Sequence, residues 1–485
     1  MAAKPNILLF LVDDMGWQDT SVSFHTTPTP LNRKYHTPNM ERLAAAGMKF
    51  TQAYACSVRS PTRVSLLTGM NAARHRVTNW TLHKNAGPDA RHDTLEFPAW
   101  NVNGICPTPG LERTVRATPL PELLRRAGYR TIHIGKAHFG ALDTPGADPK
   151  NLGFDVNVAG HAAGGPGSYL GEQNFSAAWR QGERVWDVPG LNKYHGTETF
   201  LTEALTVEAK LAMDQAVADG KPFFLYMAHY AVHVPFARDK RYYQKYGDAG
   251  LDDTEAMYAG LVEGMDKSLG DLLDNLQRHG IDRNTIILFM SDNGGLSAHG
   301  RGGQPHTHNS PLSSGKGSAR EGGVRVPMLV SWPGVVAPKS VCDLYLIIED
   351  FFPTILELTG VTDRQGIVQT VDGVSFVPLL QQTPGYPENR TLVWHYPNNW
   401  GPKGPGIGAS SSIRKGNWKL IYYHADRRCE LFNLREDLSE TRNLATEQPE
   451  RRDALASELR AYLQKVDAQM PTDKRTGQVV PLPGE

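Results

Sequence analysis

The chain has 485 residues, about three times the usual length of one domain, so two domains of unequal size are expected. It carries 51 basic and 51 acidic residues, and this balance indicates neither a nucleic-acid partner nor a membrane-surface partner. Its cysteines show no metal-site spacing and suit either redox compartment; they are Cys56, Cys106, Cys342 and Cys429.

The first apolar run, residues 7–12, is too short to cross a membrane and leads directly into two aspartates. It is predicted to be a buried strand, and no signal peptide is expected in the chain as written. A periplasmic or secreted location is expected if the N-terminus has been trimmed, and a cytoplasmic location if Met1 is the native start.

Apolar runs alternate with helical patterns through most of the chain. This alternation predicts an α/β fold with a large, mostly parallel sheet flanked by helices. Strands are predicted at 7–12, 131–134, 223–227, 286–290 and 328–331. Helices closed by glycine are predicted at 38–46, 121–127, 198–218 and 254–279.

The alternation breaks at residues 385–408, a segment rich in Gly, Pro and Asn. The pattern beyond it predicts a smaller antiparallel sheet covered by a helix, followed by an extended tail. The stretches concerned are 412–413, 418–423, 430–432 and the helix at 449–466. We therefore expect a larger α/β domain at 1–385 and a C-terminal α+β subdomain at 386–485.

The signature stretch YACSVRSPTRVSLLTG, residues 54–69, predicts a helix N-terminus that binds an anion. Ser60 followed by proline favours capping there, with the helix ended by Gly69. Free amides and the helix dipole attract anions, and Arg63 would add a fork of donors in the first turn. Arg59 stands just outside, where a reacting group is expected, although arginine cannot be a nucleophile.

Two oxygen-bearing pairs follow predicted strands: Asp13 with Asp14, and Asp292 with Asn293. In an open α/β sheet, ligands bind beyond the carboxyl ends of the strands, so these four side chains should converge. Without a cation they would repel one another, and all-oxygen ligands favour Ca²⁺ or Mg²⁺ over zinc. For either pair alone, the alternative is an ordinary turn or helix cap.

Basic side chains also stand at predicted strand ends or in a glycine-flanked loop. They are Lys136, His138, His233 and Lys316. Any one of them in a loop is ordinarily solvated, but with the acidic pairs they form a site for a tetrahedral oxyanion, and both sulfate and phosphate esters fit. His306 and His308 lie in a Gly- and Pro-rich loop and are not assigned to the site.

Together these motifs resemble those of the type I sulfatases, which share a superfamily with the alkaline phosphatases. The family signature is (Cys/Ser)-x-Pro-x-Arg, followed by Leu-Thr-Gly. Residues 59–63 and 67–69 match it except at position 59. Further matches follow in the family's order at 13–16, 135–138, 233–235, 291–295, 316–317, 321–327, 350–354, 372–380 and 413–420. The resemblance implies an alkaline-phosphatase-like fold and sulfuric ester hydrolysis.

The resemblance also implies a role for each candidate residue. One Ca²⁺ ion, with Mg²⁺ less favoured, would be held by Asp13, Asp14, Asp292 and Asn293. Arg63 and Lys136 would hold the nucleophile and the anion, and His138 would act on the hydroxyls of the nucleophile. His233 and Lys316 would contact the sulfate oxygens, and one of them would protonate the leaving alcohol.

In that family a maturation enzyme oxidises the signature Cys or Ser to formylglycine, and one hydroxyl of the hydrate attacks sulfur. Arg59 occupies this position here. Cys56 and Ser57 do not restore the signature because proline does not stand two places after either, and Ser60 directly precedes its proline. The chain as written is therefore expected to show little or no sulfatase turnover.

Three hypotheses account for Arg59. The first is a sulfatase whose nucleophile codon has changed, which would be matured by the formylglycine-generating enzyme if position 59 were Cys or Ser. The second is a silent binder of sulfated glycans in which the guanidinium pairs with the anion. The third is a phosphoesterase of the same superfamily. An alternative placement for the Arg59 side chain is towards solvent, away from the anion site.

The substrate is expected to be a sulfated carbohydrate, by likeness to bacterial glycan-degrading sulfatases. Long loops at 79–116 and 160–169 are predicted to shape the rim of the pocket. Within the first of them, Trp80, His83 and Trp100 are candidates for stacking on a sugar or bonding to it.

Overall fold

The computed structural model describes residues 4–362 and 364–485. The strands are β1 (Asn6–Val12), β2 (Met48–Tyr54), β3 (Leu95–Glu96), β4 (Ile105–Cys106), β5 (Val115–Arg116), β6 (Arg130–Gly135), β7 (Val156–Val158), β8 (Phe223–Ala228), β9 (Thr285–Ser291), β10 (Arg325–Ser331), β11 (Ser340–Cys342), β12 (Leu346–Ile347), β13 (Thr391–Tyr396), β14 (Ser410–Lys415), β15 (Trp418–Tyr423), β16 (Cys429–Asn433), β17 (Thr472–Asp473) and β18 (Gln478–Val479). The α-helices are α1 (Pro30–Lys34), α2 (Pro38–Ala46), α3 (Arg59–Thr68), α4 (Ala72–His75), α5 (Leu120–Arg126), α6 (Leu201–Ala218), α7 (Tyr243–Asp248), α8 (Asp253–Arg278), α9 (Glu321–Val324), α10 (Phe351–Leu358), α11 (Val377–Leu380) and α12 (Pro449–Lys465).

The largest sheet of the described chain has nine strands, in the order β11-β2-β10-β9-β1-β8-β6-β7, with β12 also paired to β2. The central strands β9, β1, β8, β6 and β7 run parallel. Only β10 reverses the direction, since it pairs antiparallel with both β9 and β2. The prediction of a large, mostly parallel sheet flanked by helices is therefore confirmed.

The carboxyl ends of β9, β1, β8 and β6 lie side by side. Val12 is in register with Ser291, and Ala228 is in register with both Leu11 and Gly135. The residues that follow these four strands therefore leave the sheet along one edge, where open α/β folds bind their ligands.

Both faces of this sheet are covered. Ile7, Leu9 and Leu11 point into a core shared with α3 and α10, and Leu8 and Phe10 point into a second core shared with α6 and α8. Every residue of β1 is buried, as expected for a central parallel strand whose successive side chains alternate between two covered faces.

The C-terminal region forms the smaller antiparallel sheet predicted from its sequence. Strands β13 to β16 pair in order, and α12 packs Leu455, Leu459 and Leu463 against Ile413 and Leu420. The division into 1–385 and 386–485 stays a prediction.

Buried polar contacts join this sheet to the larger one. The Trp394 indole N–H donates to the Ala55 carbonyl at 2.9 Å, at the start of the signature stretch. The Lys419 ammonium lies 3.0 Å from Glu321 and 3.2 Å from Glu440, all fully buried or nearly so. The C-terminal region is thereby fixed against the segment that leads into α3.

Two local predictions were wrong. The tail is not simply extended, because β17 pairs with β18 and with β3, which anchors the C-terminal end to the loop at 79–116. The segment 385–408 also contains all of β13, whose Leu-Val-Trp run is buried despite the flanking Gly, Pro and Asn. In the described part of the chain, no helix combines the length and apolar character needed to span a bilayer.

Candidate active site

The signature stretch forms α3, but the helix begins two residues earlier than predicted. Val58 occupies the N-cap position and Arg59 is the first helical residue. Ser60 is not the cap, since its hydroxyl accepts a hydrogen bond from the Thr81 amide at 3.1 Å. The predicted end is confirmed, because Gly69 adopts the left-handed conformation with φ of 70°.

Arg59 points into the protein and is only 6% exposed, so the expectation that it could turn to solvent was wrong. Its Nη1 donates to Nε2 of His233, while its Nε has no hydrogen-bond partner in the described chain. His233 Nδ1 donates to the Val234 carbonyl at 2.5 Å. These partners assign His233 as a neutral ring whose only lone pair is taken by Arg59.

Burial lowers the pKa of His233 well below its usual value, and the neighbouring charges of Lys316 and Arg59 lower it further. The same two cations also lower the pKa of Asp14, which there favours the charged form of the side chain. Burial alone would raise the pKa of Asp14, but the charges of Lys316 and Arg59 lower it. The Asp14 carboxylate is thus ionised beside a neutral imidazole.

The four predicted metal ligands are brought together as one buried group, which we call the acidic cluster: Asp13, Asp14, Asp292 and Asn293. Asn293 Nδ2 donates to Asp14 Oδ1 at 2.8 Å, and the Asp14 amide donates to Asp292 Oδ1 at 3.2 Å. Lys136 Nζ lies 2.6 Å from Asp13 Oδ2 and 3.6 Å from Asp292 Oδ2. These contacts follow from the alignment of β1, β9 and β6.

Two further cations contact the acidic cluster. Arg63 donates through Nε and Nη2 to Asp292 Oδ2 at 3.0 and 2.8 Å, and through Nη1 to the Lys136 carbonyl at 2.8 Å. Lys316 Nζ donates to Asp14 Oδ2. Lys136, Arg63 and Lys316 therefore contact the acidic cluster directly, and Arg59 lies beside His233.

His138 completes the group from the end of β6. Its Nε2 donates to the Thr81 carbonyl at 2.9 Å, and its buried Nδ1 has no partner among the described residues. Burial, then Lys136 and Arg59, lowers its pKa well below the usual value. His138 and Asp14 both have positive φ, 59° and 61°, a conformation that side chains other than glycine rarely adopt and that is concentrated at functional sites.

The donor set of the acidic cluster fits a hard cation. Asp13 Oδ1 and Asn293 Oδ1 are buried and accept no hydrogen bond from the described chain, which ordinarily has an energetic penalty. Burial, and after it Asp292, raises the pKa of Asp13 to about 7. Oxygen atoms of Asp13 and Asp14 and a ring nitrogen of His233 also lie within 4.8 Å of one another, but Arg59 occupies the His233 lone pair, so of these three only the aspartates are free to bind an ion. A cation would use these oxygens and oppose the pKa shift of Asp13.

The loops predicted to form the rim differ in what they contribute. In the stretch 160–169, a Cβ added at Gly164 would lie 2.3 Å from His138 Cε1, and one added at Gly165 would lie 2.8 Å from His233 Nδ1. This stretch therefore lies directly against both histidines. Trp100, by contrast, is buried with its indole N–H bonded to Asp89, so its proposed contact with a sugar was wrong.

Trp400 and His299 also lie beside the site, and the sequence interpretation missed both. The Trp400 ring centroid is 5.9 Å from Lys316 Nζ and 5.5 Å from the His299 ring. Trp400 belongs to the segment 385–408, which was interpreted only as a break between domains. A tryptophan isolated among Gly, Pro and Asn was the signal available there.

Comparison with protein families gives two matches. The Sulfatase family matches residues 5–361, and the family described as N-sulphoglucosamine sulphohydrolase, C-terminal matches residues 316–469. The chain belongs to the sulfatase family. It is thus an enzyme of the sulfatase type, a class that hydrolyses sulfate esters.

Individual relatives agree with this assignment. A sulfatase of Formosa agariphila is 30% identical over 99% of this chain and 92% of its own length. The N-acetylgalactosamine-6-sulfatase of Mus musculus is 33% identical over 78% of this chain and 66% of its own length. The crystal structure of Ps i-CgsB in complex with k-i-k-neocarrahexaose is 26% identical, with a TM-score of 0.75 over 99% of this chain and 95% of that one.

Proposed function

We propose that this sulfatase site binds sulfate esters of carbohydrates and that Arg59 silences their hydrolysis. The observation that carries the proposal is the buried Arg59 guanidinium bonded to His233, beside the acidic cluster and the cations that contact it. Sulfated carbohydrate is proposed because one relative is named N-acetylgalactosamine-6-sulfatase and one solved relative is in complex with k-i-k-neocarrahexaose.

Arg59 would prevent turnover in two ways. A guanidinium stays protonated and offers no hydroxyl that could attack sulfur. It also donates to the one free nitrogen of His233, so that ring cannot pass a proton from Nε2 to a leaving alcohol while the contact lasts. Lys316 then remains as the group able to protonate the leaving oxygen.

The residues around the acidic cluster suit an anion. Four cationic groups face three carboxylates: Arg59, Arg63, Lys136 and Lys316 against Asp13, Asp14 and Asp292. Each of these cations is buried, so its field is screened little by solvent. A bound sulfate would accept hydrogen bonds from Lys316, and Lys136 and Arg63 would hold the acidic cluster in place.

Asp13, Asp14, Asp292 and Asn293 would hold the family's divalent cation, for which we propose Ca²⁺. When bound, the ion supplies positive charge that stabilises the sulfate oxygens. Among the residues that the structure describes, the oxygen ligands form one group, which favours the sulfatase interpretation over a two-metal phosphoesterase. The residues of the chain would orient the ester, exclude water through the stretch 160–169 and supply the proton from Lys316.

Ca²⁺ is expected to stabilise the protein, and more strongly when Arg59 is removed. At about 100 times its Kd an ion that binds only the folded state adds about 2.7 kcal/mol, and Arg59→Ala should tighten binding because it deletes a cation beside Asp14. The thermal midpoint measured against Ca²⁺ concentration tests this. Asp13→Asn should abolish the shift, whereas Asp274→Asn at an exposed carboxylate should keep it; an unchanged shift in Asp13→Asn would refute the assignment.

Binding of a sulfated sugar to the unaltered chain tests the proposed function. Calorimetry with N-acetylgalactosamine 6-sulfate in the presence of Ca²⁺ should show saturable binding without sulfate release. Lys316→Ala should weaken it by about tenfold or more, since a hydrogen bond to a charged group contributes about 1.5–3 kcal/mol. Lys150→Ala, which alters an exposed lysine, is the matched control. Equal affinity in both variants would contradict the proposal.

A further inference from the structure

We infer that Trp400 and His299 form the sugar-binding side of this site. The pyranose ring that carries the sulfate would pack on the Trp400 indole, and a hydroxyl near the ester would bond to the His299 imidazole. This inference rests on the proposed function, because it assumes that the sulfate itself lies at Lys316 and the acidic cluster.

Trp400 lies next to the group that would bind the sulfate. Its ring centroid is 5.9 Å from Lys316 Nζ, and that ammonium donates to Asp14 in the acidic cluster. The indole is half-buried, so part of its surface remains accessible. A ligand whose sulfate reaches Lys316 would therefore place its next atoms against Trp400.

The indole is held by close packing on the loop that carries Lys316. A Cβ added at Gly317 would lie 2.2 Å from Trp400 Cε3, so the absence of a side chain there is what lets the ring lie against the backbone. The Gly317 amide in turn donates to the Ser57 carbonyl at 2.8 Å. Trp400, Lys316 and the start of α3 are thus mutually positioned.

Hydrogen bonds also fix the segment that bears Trp400. Asp89 Oδ1 accepts from Asn398 Nδ2 at 2.9 Å and from the Asn399 amide at 3.1 Å. The Ala90 amide donates to the Asn399 carbonyl at 2.9 Å, and Asn399 Nδ2 donates to the Ala90 carbonyl at 3.1 Å. A ring held before the ligand arrives loses little conformational entropy on binding, which raises affinity.

His299 supplies a polar group on the same side. Its ring is 5.5 Å from the Trp400 ring at an interplanar angle of 37°, it is exposed, and it makes no hydrogen bond within the described chain. Burial of its inner part, then Lys316, lowers its pKa, which keeps the ring neutral near pH 7. A neutral imidazole offers one donor and one acceptor, and a sugar hydroxyl can satisfy either.

The combination selects a sulfated sugar rather than a bare anion. Binding sites for small ligands join an apolar or aromatic surface to a few placed polar groups. A pyranose presents an apolar face of C–H groups for an aromatic ring and hydroxyls at its edge for a residue such as His299. Inorganic sulfate would use Lys316 and the acidic cluster with its cation but neither Trp400 nor His299, and an aryl sulfate would use the indole without the hydroxyl contact.

The test compares ligands that share the sulfate and differ in what carries it. Calorimetry would use the unaltered chain in the presence of Ca²⁺. The ligands compared are inorganic sulfate, 4-nitrophenyl sulfate and three sugar esters: N-acetylgalactosamine 6-sulfate, galactose 4-sulfate and glucosamine 6-sulfate. Trp400→Ala should weaken the tightest sugar ester by about tenfold, equivalent to about 1.4 kcal/mol, and leave inorganic sulfate within about twofold. Trp400→Phe should retain most of the affinity because it keeps an aromatic face.

His299→Ala should weaken the same sugar ester by about fivefold, the loss of one neutral hydrogen bond, and leave 4-nitrophenyl sulfate unchanged. His195→Ala is the matched control, since His195 is exposed and packs against Phe175 instead. Equal losses for sugar ester and inorganic sulfate in Trp400→Ala would mean a purely structural role and overturn the inference.

Failure of the inference and failure of the proposed function are distinguishable. If inorganic sulfate binds in a Lys316-dependent way but no sugar ester binds more tightly than sulfate, or Trp400→Ala leaves the sugar ester unaffected, only the inference is overturned. If neither sulfate nor any ester binds the unaltered chain, the proposed function fails and the inference fails with it.

Discussion

Arg59→Cys, produced in cells that contain the formylglycine-generating enzyme, is expected to gain sulfatase turnover. The substitution would supply the missing Cys of the signature, with Pro61 and Arg63 already at the required spacing. It would also remove the donor that occupies His233 Nε2, which leaves that nitrogen free for proton transfer. The rate of sulfate release should rise at least about 10³-fold over the unaltered chain, because the nucleophile is supplied and His233 becomes available for proton transfer beside Lys316.

Arg59→Ala separates these two effects. It frees His233 but provides no nucleophile, so it should bind the ester and release no sulfate. Mass spectrometry of the peptide that contains residue 59 must first confirm formylglycine in the Arg59→Cys protein. Confirmed formylglycine without sulfate release from any sugar ester that binds would refute the hypothesis of a changed nucleophile in an intact site.

Arg63→Ala is expected to destabilise the fold by about 3–5 kcal/mol, the usual effect of removing one partner from a buried ion pair. Arg63 and Asp292 are both fully buried, and two guanidinium N–H groups meet one carboxylate oxygen. The substitution would leave the Asp292 carboxylate without its main partner and remove the donor to the Lys136 carbonyl. Urea unfolding followed by tryptophan fluorescence, with a chelator present, measures the loss.

Arg42→Ala is the matched control, since Arg42 pairs with Asp274 at the surface with side chains 36% and 65% exposed. Exposed pairs contribute about 1 kcal/mol at most, so the urea midpoint should change little. Arg63→Lys should fall between the two because it keeps the charge and loses the fork. If Arg63→Ala changes the urea midpoint no more than Arg42→Ala does, the proposed contribution of the buried pair is contradicted.

The convergence of the site could be predicted because it depends on strand ends. Parallel strands have their carboxyl ends at one edge, so Asp13, Asp292 and Lys136 are brought together once the strands are identified and adjacent. Apolar runs located those strands, and the helical pattern with its terminal glycine gave the bounds of α2 correctly. The sequence interpretation therefore assembled the acidic cluster without knowledge of the strand order.

Side-chain direction and long-range contacts could not be predicted in the same way. Whether Arg59 faces solvent or His233 depends on the start of α3, which Val58 sets two residues before the apparent Ser60 cap. Trp400 reaches Lys316 only because the C-terminal sheet is held against the larger one by contacts such as that of Trp394 with Ala55. Neither the direction of Arg59 nor the position of Trp400 produces a periodic pattern in the local sequence.

The molar ratio of sulfate released to formylglycine present most directly tests the claim that position 59 alone silences this sulfatase. It would be measured in Arg59→Cys protein with the sugar ester that the unaltered chain binds most tightly. We expect a ratio that rises well above one with time, and no sulfate from the unaltered chain under the same conditions. A ratio that stays at zero with confirmed formylglycine, or sulfate release by the unaltered chain, would contradict it.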